Sequence, residues 1–91
     1  MEYKIKKYCT QIVEILLKMN ESSWVSIFNH FVSQLETTET KELYRDILNV
    51  YGGMGSFNDL VLYKDGQPCF KENEHLNKLR KELFNALSNS L

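Results

Sequence analysis

Apolar residues recur every three to four positions along four stretches of the chain, which is the spacing of an amphipathic helix. The first stretch predicts a helix over about residues 2–19, and its apolar arc covers about half of the helix circumference. Contact with one neighbour needs a narrower arc, so we expect this helix to pack between two other elements. Its inner face comprises Ile5, Tyr8, Cys9, Ile12, Leu16 and Met19, and Val13, Ile15 and Leu17 widen it.

Two further helices are predicted over about residues 23–36 and 40–51. Ser22 or Ser23 can cap the first of them by accepting a hydrogen bond from a free backbone N–H, and the polar break at residues 37–40 offers caps for the next. The inner faces comprise Trp24, Ile27, Phe28, Phe31, Val32 and Leu35 in one helix, and Leu43, Ile47, Val50 and Tyr51 in the other.

A fourth helix is predicted over about residues 74–89, with Asn73 as its cap and Glu74 in its first turn. Its inner stripe comprises Leu76, Leu79, Leu83, Phe84 and Leu87. Residues 60–70 predict a small β-hairpin, because β-prone residues precede the Asp65-Gly66 turn pair. The patterns together predict a mainly α fold: one domain, residues 1–91, forming a small bundle of about four helices with a short β-hairpin between helices 3 and 4.

Three of the four glycines, Gly52, Gly53 and Gly55, lie in the segment YGGMGSFNDLVLY at residues 51–63. Such a stretch can form a phosphate-binding loop. However, a Walker loop needs a lysine, and no Lys or Arg occurs between Arg45 and Lys64. The dinucleotide fingerprint needs a strand before the loop and a helix after it, and the order here is reversed.

We therefore interpret this segment as a structural corner, and we keep a nucleotide-binding or enzymatic domain that uses the Gly52–Gly55 loop as an alternative. In the corner, Gly52 or Gly53 ends the third helix with a positive φ. Gly55 lets the chain pass close to a neighbouring helix, and Met54 and Phe57 point into the core. The side chains of Ser56, Asn58 and Asp59 are expected to bond the backbone of the turn.

The composition is that of an ordinary globular protein, and it limits the partners and the cellular compartment to be expected. Its net charge of −1 argues against a dedicated nucleic-acid binder. No apolar run approaches the roughly 18 residues of a membrane span, and Glu14 and Lys18 interrupt the N-terminal run in a way untypical of a signal peptide. We expect a cytoplasmic protein in which Cys9 and Cys69 are reduced, partly buried thiols.

Residue types that carry catalysis or bind metals occur without the spacing that such sites need. The soft or borderline metal ligands His30, His75, Cys9 and Cys69 form no recognised zinc pattern. The carboxylates Glu42 and Asp46 are four residues apart on a helix face that should be wet, and no nucleophile motif is present. We therefore predict no catalytic residue, no metal, no cofactor and no enzymatic activity.

Acidic and aromatic residues alternate around the predicted hairpin, which is typical of a surface for a basic protein partner. Lys64 and Lys71 are the basic residues nearby. In the alternative interpretation the aromatic rings, with that of Tyr51, cover the junction of hairpin and helices, and the acids keep it soluble. The candidate partner-binding residues are Asp59, Tyr63, Asp65, Phe70, Glu72 and Glu74.

The strings GGMGSFNDLVL at residues 52–62 and ENEHLNKLRKELF at residues 72–84 resemble a small bacterial domain family with no assigned enzymatic activity. Members of this kind are similar to immunity proteins encoded beside polymorphic or contact-dependent toxins, many of which are nucleases. The resemblance implies a non-enzymatic immunity protein that binds and neutralises a cognate toxin domain, with no direct contact to nucleic acid or membrane. A helical regulatory module or a homo-oligomer remains a further alternative.

Overall fold

Four α-helices form most of the computed structural model, which describes residues 3–91. They are α1 (Tyr3–Lys18), α2 (Ser22–Thr37), α3 (Lys41–Leu48) and α4 (Phe70–Asn89). Between α3 and α4 lie two short 3₁₀ turns, Asn49–Tyr51 and Phe57–Asp59, and a hairpin of β1 (Tyr63–Lys64) and β2 (Gln67–Pro68). The predicted mainly α fold, with a short hairpin between its third and fourth helices, is confirmed.

Helix α1 packs against both α2 and α4, as its wide apolar arc predicts. Its inner face is buried except for Tyr8, which is half-buried, whereas Leu17 at the edge of the arc is exposed. Aromatic rings join α2 to the corner, because the ring centroids of Phe28 and Phe57 lie 4.6 Å apart and those of Trp24 and Phe57 5.2 Å apart. The core is therefore continuous from α1 to the glycine segment.

The first two helix junctions are made largely by the backbone. Asn20 has a positive φ of 59°, and Glu21 N–H donates to the Leu16 carbonyl at 3.0 Å, which is the Schellman arrangement for ending a helix. Helix α2 then begins at Ser22 with no side-chain cap, so the prediction that Ser22 or Ser23 caps it is wrong. At α3, Thr40 Oγ1 accepts from Leu43 N–H at 3.1 Å, a cap of the kind predicted.

The chain reverses direction at the glycines, but not in every predicted detail. Helix α3 ends at Leu48 and tightens into a 3₁₀ turn, and Gly53, with φ +86°, supplies the left-handed residue, whereas Gly52 has φ −98°. Gly55 has φ +72°, and an added Cβ would meet nothing within 4 Å. The predicted close approach of Gly55 to a helix is therefore wrong, and its backbone conformation is what favours glycine.

The sequence predicts that Met54 and Phe57 both point into the core, but only Phe57 does so. Phe57 is fully buried among the rings of α2, as predicted. Met54 is 99% exposed, so its predicted burial is wrong. It sits between two left-handed glycines at the tip of the corner, and Phe57 starts the next turn, which runs along the core.

The hairpin turns at the predicted Asp-Gly pair, where Asp65 has φ 54° and Gly66 φ 79°. Tyr63 pairs with Pro68 across this two-residue turn. Helix α4 begins at Phe70, earlier than predicted, with Cys69 at the capping position.

Asn73 is therefore not the cap of α4. Asn73 lies in the first turn of α4, and its side chain bonds to the backbone of Leu62 and Cys69, which precede the helix. Glu72, rather than Glu74, is the acidic residue of that turn. Among residues 3–91, no helix has both the length and the apolar character that crossing a bilayer requires.

Candidate functional site

The glycine corner is bonded from within by its own side chains. The Tyr51 carbonyl accepts from Ser56 Oγ at 3.3 Å and from Asn58 Nδ2 at 3.0 Å. Asp59 Oδ2 accepts from Gly55 N–H at 2.9 Å. The prediction that Ser56, Asn58 and Asp59 bond the backbone of the turn is confirmed, so these side chains hold the corner in one shape.

The side chain of Arg80 extends from α4 into the corner, and only 8% of its surface is exposed. Its Nη1 donates to the carbonyls of Phe57 and Leu60, the latter at 3.0 Å, and its Nη2 donates to Asn77 Oδ1. The guanidinium carbon lies 5.5 Å from the centre of the Phe57 ring, close enough for a cation–π contact. Arg80 therefore fixes the corner onto α4.

Tyr51 closes this arrangement, because its hydroxyl donates to the Arg80 carbonyl at 2.8 Å. Burial raises the pKa of Tyr51, and the neighbouring Cys9 raises it further while Arg80 lowers it. Burial lowers the pKa of Arg80, which Tyr51 and Asp59 oppose. An arginine starts from so high a pKa that it stays charged, so both side chains remain donors at neutral pH.

The hairpin is attached to α4 by Asn73. Its Oδ1 accepts from Leu62 N–H at 2.7 Å, while its Nδ2 donates to the Leu62 carbonyl at 3.0 Å and to the Cys69 carbonyl at 2.9 Å. Arg80 and Asn73 thus hold the segment between corner and hairpin at two places on one helix. In the sequence, Arg80 stands out only as a charged residue beside Leu79 of the inner stripe.

The Gly52–Gly55 loop is arranged differently from a phosphate cradle. A cradle leaves its amides free for the anion, but Gly55 N–H is already bonded to the Asp59 carboxylate. The cation that folding brings to the corner, Arg80, donates to the carbonyls of Phe57 and Leu60. This geometry supports the structural interpretation of the glycines.

The candidate partner-binding residues have two different environments. Phe70 is 79% and Tyr63 54% exposed, and Asp65 and Glu74 are exposed as well. The idea that the aromatic rings cover the junction is therefore wrong for Phe70 and Tyr63, although it describes the buried Tyr51.

Two of the predicted acidic residues already have partners inside the chain. The carboxylate of Asp59 is exposed but bonded to Gly55 N–H. Glu72 forms an ion pair with Lys18 at 3.0 Å, and the hydrogen bond from Lys18 is the main cause that lowers the pKa of Glu72. These two carboxylates are consequently less available to a partner than those of Asp65 and Glu74.

Exposed apolar side chains are concentrated on the corner and the hairpin. Of the eight large hydrophobic side chains that are exposed in residues 3–91, four lie within residues 54–70. We call these four the corner–hairpin surface: Met54, Val61, Tyr63 and Phe70. Met54, Val61 and Tyr63 stand on the segment that Arg80 and Asn73 hold to α4, and Phe70 is the first residue of α4 itself, so all four have a rigid base.

Catalytic or metal chemistry finds little support in the side-chain arrangement. Within residues 3–91, no three His, Cys, Asp or Glu side chains come together as a metal site would need. His30 and His75 are both exposed. Cys9 and Cys69 are free thiols, the first buried and the second partly buried.

Comparison with known proteins gives one match. No curated protein and no solved structure matches this chain. One family model, described as "Domain of unknown function (DUF6966)", matches residues 18–69. The match runs from the last residue of α1 to Cys69, and so includes the corner and the hairpin. Because it covers more than half of the 91 residues, the chain belongs to the DUF6966 family.

Proposed function

We propose that this chain is a non-enzymatic immunity protein, which binds a bacterial toxin domain through the corner–hairpin surface and blocks it by contact. The observation that carries the proposal is the concentration of exposed apolar side chains on a segment bonded firmly to α4. Aromatic side chains on a rigid base bind with little loss of conformational freedom, and they are frequent hot spots of protein interfaces.

Charge has a secondary role in this proposal. Asp65 and Glu74 are exposed, but Lys64 and Lys71 lie beside them in the chain. The local charge is therefore nearly balanced. Phe70 and Tyr63 supply most of the affinity, and the acids help to orient a basic partner during approach.

The role as an inhibitor requires a stable scaffold and a complementary surface, and no chemistry. The internally bonded corner supplies the scaffold. The protein acts in the cytoplasm in this proposal, where a toxin would meet its target. The adjacent gene should identify the toxin, since the immunity proteins that this chain resembles are encoded next to their toxins.

The direct test is co-expression of this chain with the toxin domain encoded by the adjacent gene. We expect growth to be restored and the two proteins to co-purify as a complex. Equal killing with and without this chain would refute the proposed function for that pair.

The surface is tested by variants measured with the purified toxin. Phe70→Ala combined with Tyr63→Ala should weaken binding by about 30-fold or more, the effect of losing an interface hot spot. Leu17→Ala is the matched control, because Leu17 is also an exposed large hydrophobic residue but lies at the junction of α1 and α2, beside Asn20 and Val25. A complex that forms with unchanged affinity in the double variant would move the interface elsewhere.

A further inference from the structure

A pocket of about 270 Å³ lies beside the corner, against the exposed side of α4. It is separate from the apolar residues of the corner–hairpin surface. Cationic, amide and aromatic side chains line it, with no acidic side chain among them: Tyr51, Asn58, Asn77, Arg80, Lys81 and Phe84.

Among residues 3–91, no carboxylate contacts the guanidinium of Arg80. The hydrogen-bond acceptors of its guanidinium are two backbone carbonyls and the amide oxygen of Asn77, all of them neutral. Asp59 lies near enough to favour the charged form of Arg80 and offsets part of its field, but Asp59 does not line the pocket. A buried cation surrounded by neutral acceptors leaves a positive potential in the adjoining pocket, and that potential favours an anion.

Donors that can contact an anion directly are also present. The Oδ1 of Asn77 accepts from Arg80, so the amide NH₂ of Asn77 is left without a partner among residues 3–91. Asn58 uses one amide proton on the Tyr51 carbonyl and has a second. Lys81 is exposed and has no ion pair within the same described range. These groups supply hydrogen bonds, and Arg80 supplies its field.

The remaining wall of the pocket is aromatic. The ring of Phe84 is 43% exposed, and its centroid lies 5.3 Å from that of Tyr51. The prediction that Phe84 belongs to the inner stripe of α4 is thus only partly right, because its ring also lines the pocket. A flat apolar group can lie against this ring while an oxyanion contacts Lys81 and the amides.

We propose that this pocket binds an organic oxyanion, in which a carboxylate or a phosphate group is joined to a flat apolar body. This inference does not rest on the proposed function, because it concerns other residues and needs no protein partner.

The experiment is an NMR titration of the full chain at constant ionic strength. The probes are benzoate, phenyl phosphate, acetate and inorganic phosphate. We expect saturable shifts of the Asn58, Asn77, Lys81 and Phe84 signals, with dissociation constants at or below about 10 mM for at least one aromatic probe. The comparison of benzoate with phenyl phosphate decides between carboxylate and phosphate.

The simple anions should bind several-fold more weakly than the aromatic probe with the same head group. Equal affinity for the simple and the aromatic anions would overturn the role of the Phe84 wall. Absence of saturable shifts at these residues with all four probes would overturn the proposal as a whole.

Matched variants separate this pocket from general charge effects. Lys81→Gln should weaken binding of the best probe about three- to fivefold, as expected for one partly exposed charge contact. Lys78→Gln is the control, since Lys78 is exposed on the same helix but does not line the pocket. Both variants leave Arg80 in place, so the corner should remain folded, and equal weakening by the two would show that net charge alone is responsible.

Discussion

The side-chain amide of Asn73 pairs with the backbone of Leu62 as a neighbouring strand would. It accepts from the Leu62 N–H at 2.7 Å and donates to the Leu62 carbonyl at 3.0 Å. Leu62 is fully buried, so water cannot replace these bonds easily. Asn73 is thereby the partner of the Leu62 N–H, and it shares the Leu62 carbonyl with Cys69 N–H, which donates to that carbonyl at 2.9 Å.

Replacing Asn73 should therefore destabilise the fold. Asn73→Ala leaves the buried N–H of Leu62 without a partner and removes one of the two bonds to the Leu62 carbonyl, which keeps its bond from Cys69 N–H, and we expect the free energy of unfolding to fall by about 1–3 kcal/mol. Asn73→Asp keeps an acceptor for Leu62 N–H but places a carboxylate against two carbonyls, so it should be no more stable than Asn73→Ala at neutral pH.

Urea unfolding measures both Asn73 variants. Asn85→Ala serves as the control, because Asn85 is exposed on the same helix, and its effect should stay within about 0.5 kcal/mol. An Asn73→Ala protein as stable as this control would contradict the proposed pairing.

Arg80 should matter for stability despite its charge. Arg80→Met removes the donors to the Phe57 and Leu60 carbonyls while keeping a side chain of similar length, and we expect a loss of about 3 kcal/mol. Arg80→Lys should recover only part of this loss, since an ammonium cannot reproduce the guanidinium geometry.

Thermal unfolding, monitored by circular dichroism, would rank the stabilities of the Arg80 variants. Lys81→Met, at the next and exposed position, should be nearly neutral by comparison. A stability of Arg80→Met equal to that of Lys81→Met would show that the corner does not depend on this side chain.

The three corner glycines should respond differently to the same substitution. Gly53 and Gly55 have φ values of +86° and +72°, so Gly53→Ala and Gly55→Ala should each cost about 1–2 kcal/mol. Gly52 has φ −98°, and an added Cβ meets nothing within 4 Å, so Gly52→Ala should be neutral or stabilising by about 0.4–1 kcal/mol.

Calorimetric melting temperatures of the three alanine variants suffice for this comparison. Gly53→Val, with a branched side chain, should be less stable than Gly53→Ala. Equal losses at positions 52, 53 and 55 would mean that backbone conformation is not what distinguishes these glycines.

The buried thiol of Cys9 should make stability depend on alkaline pH. Burial raises the pKa of this thiol from 9.0 to about 12. Between these values the unfolded chain loses the Cys9 proton while the folded chain keeps it, so stability is fully present below pH 9 and falls as pH rises. The slope from this one group approaches about 1.4 kcal/mol per pH unit.

The contribution of Cys9 is measured by comparing the pH slopes of the native protein and Cys9→Ala. Cys9→Ala should be less stable at neutral pH and have a flatter slope above pH 9. In the native protein at neutral pH, a thiol reagent should label Cys69 and leave Cys9 unmodified until urea is added. Identical slopes would contradict the effect of burial.

The helical part of the fold was predictable because burial in a helix repeats along the sequence. The faces of α1 and α4 and the Asp65-Gly66 turn were evident from local spacing and turn chemistry alone. Ser56, Asn58 and Asp59 were also identified as the bonding residues of the corner, since short polar side chains commonly bond the backbone of their own turn.

Long-range bonds could not be predicted in this way. Arg80 lies 23 residues from Phe57 in sequence, and a charged residue on an inner helical stripe does not show which carbonyls it will meet. Asn73 looked like a cap because it precedes a helical pattern, but its amide bonds Leu62, 11 residues earlier. Met54 lay in an apolar context, and only the left-handed glycines on both sides of it turn it into solvent.

The family match ends at Cys69, one residue before α4 begins. The corner and Leu62 lie inside the matched segment, but the side chains of Asn73 and Arg80 that bond them lie beyond it. Residues 18–69 alone therefore lack the side chains that bond the corner and Leu62 to α4, and the same holds for any graft of the glycine corner into another scaffold. A transplant that is to keep its shape must carry the first three turns of α4 with it.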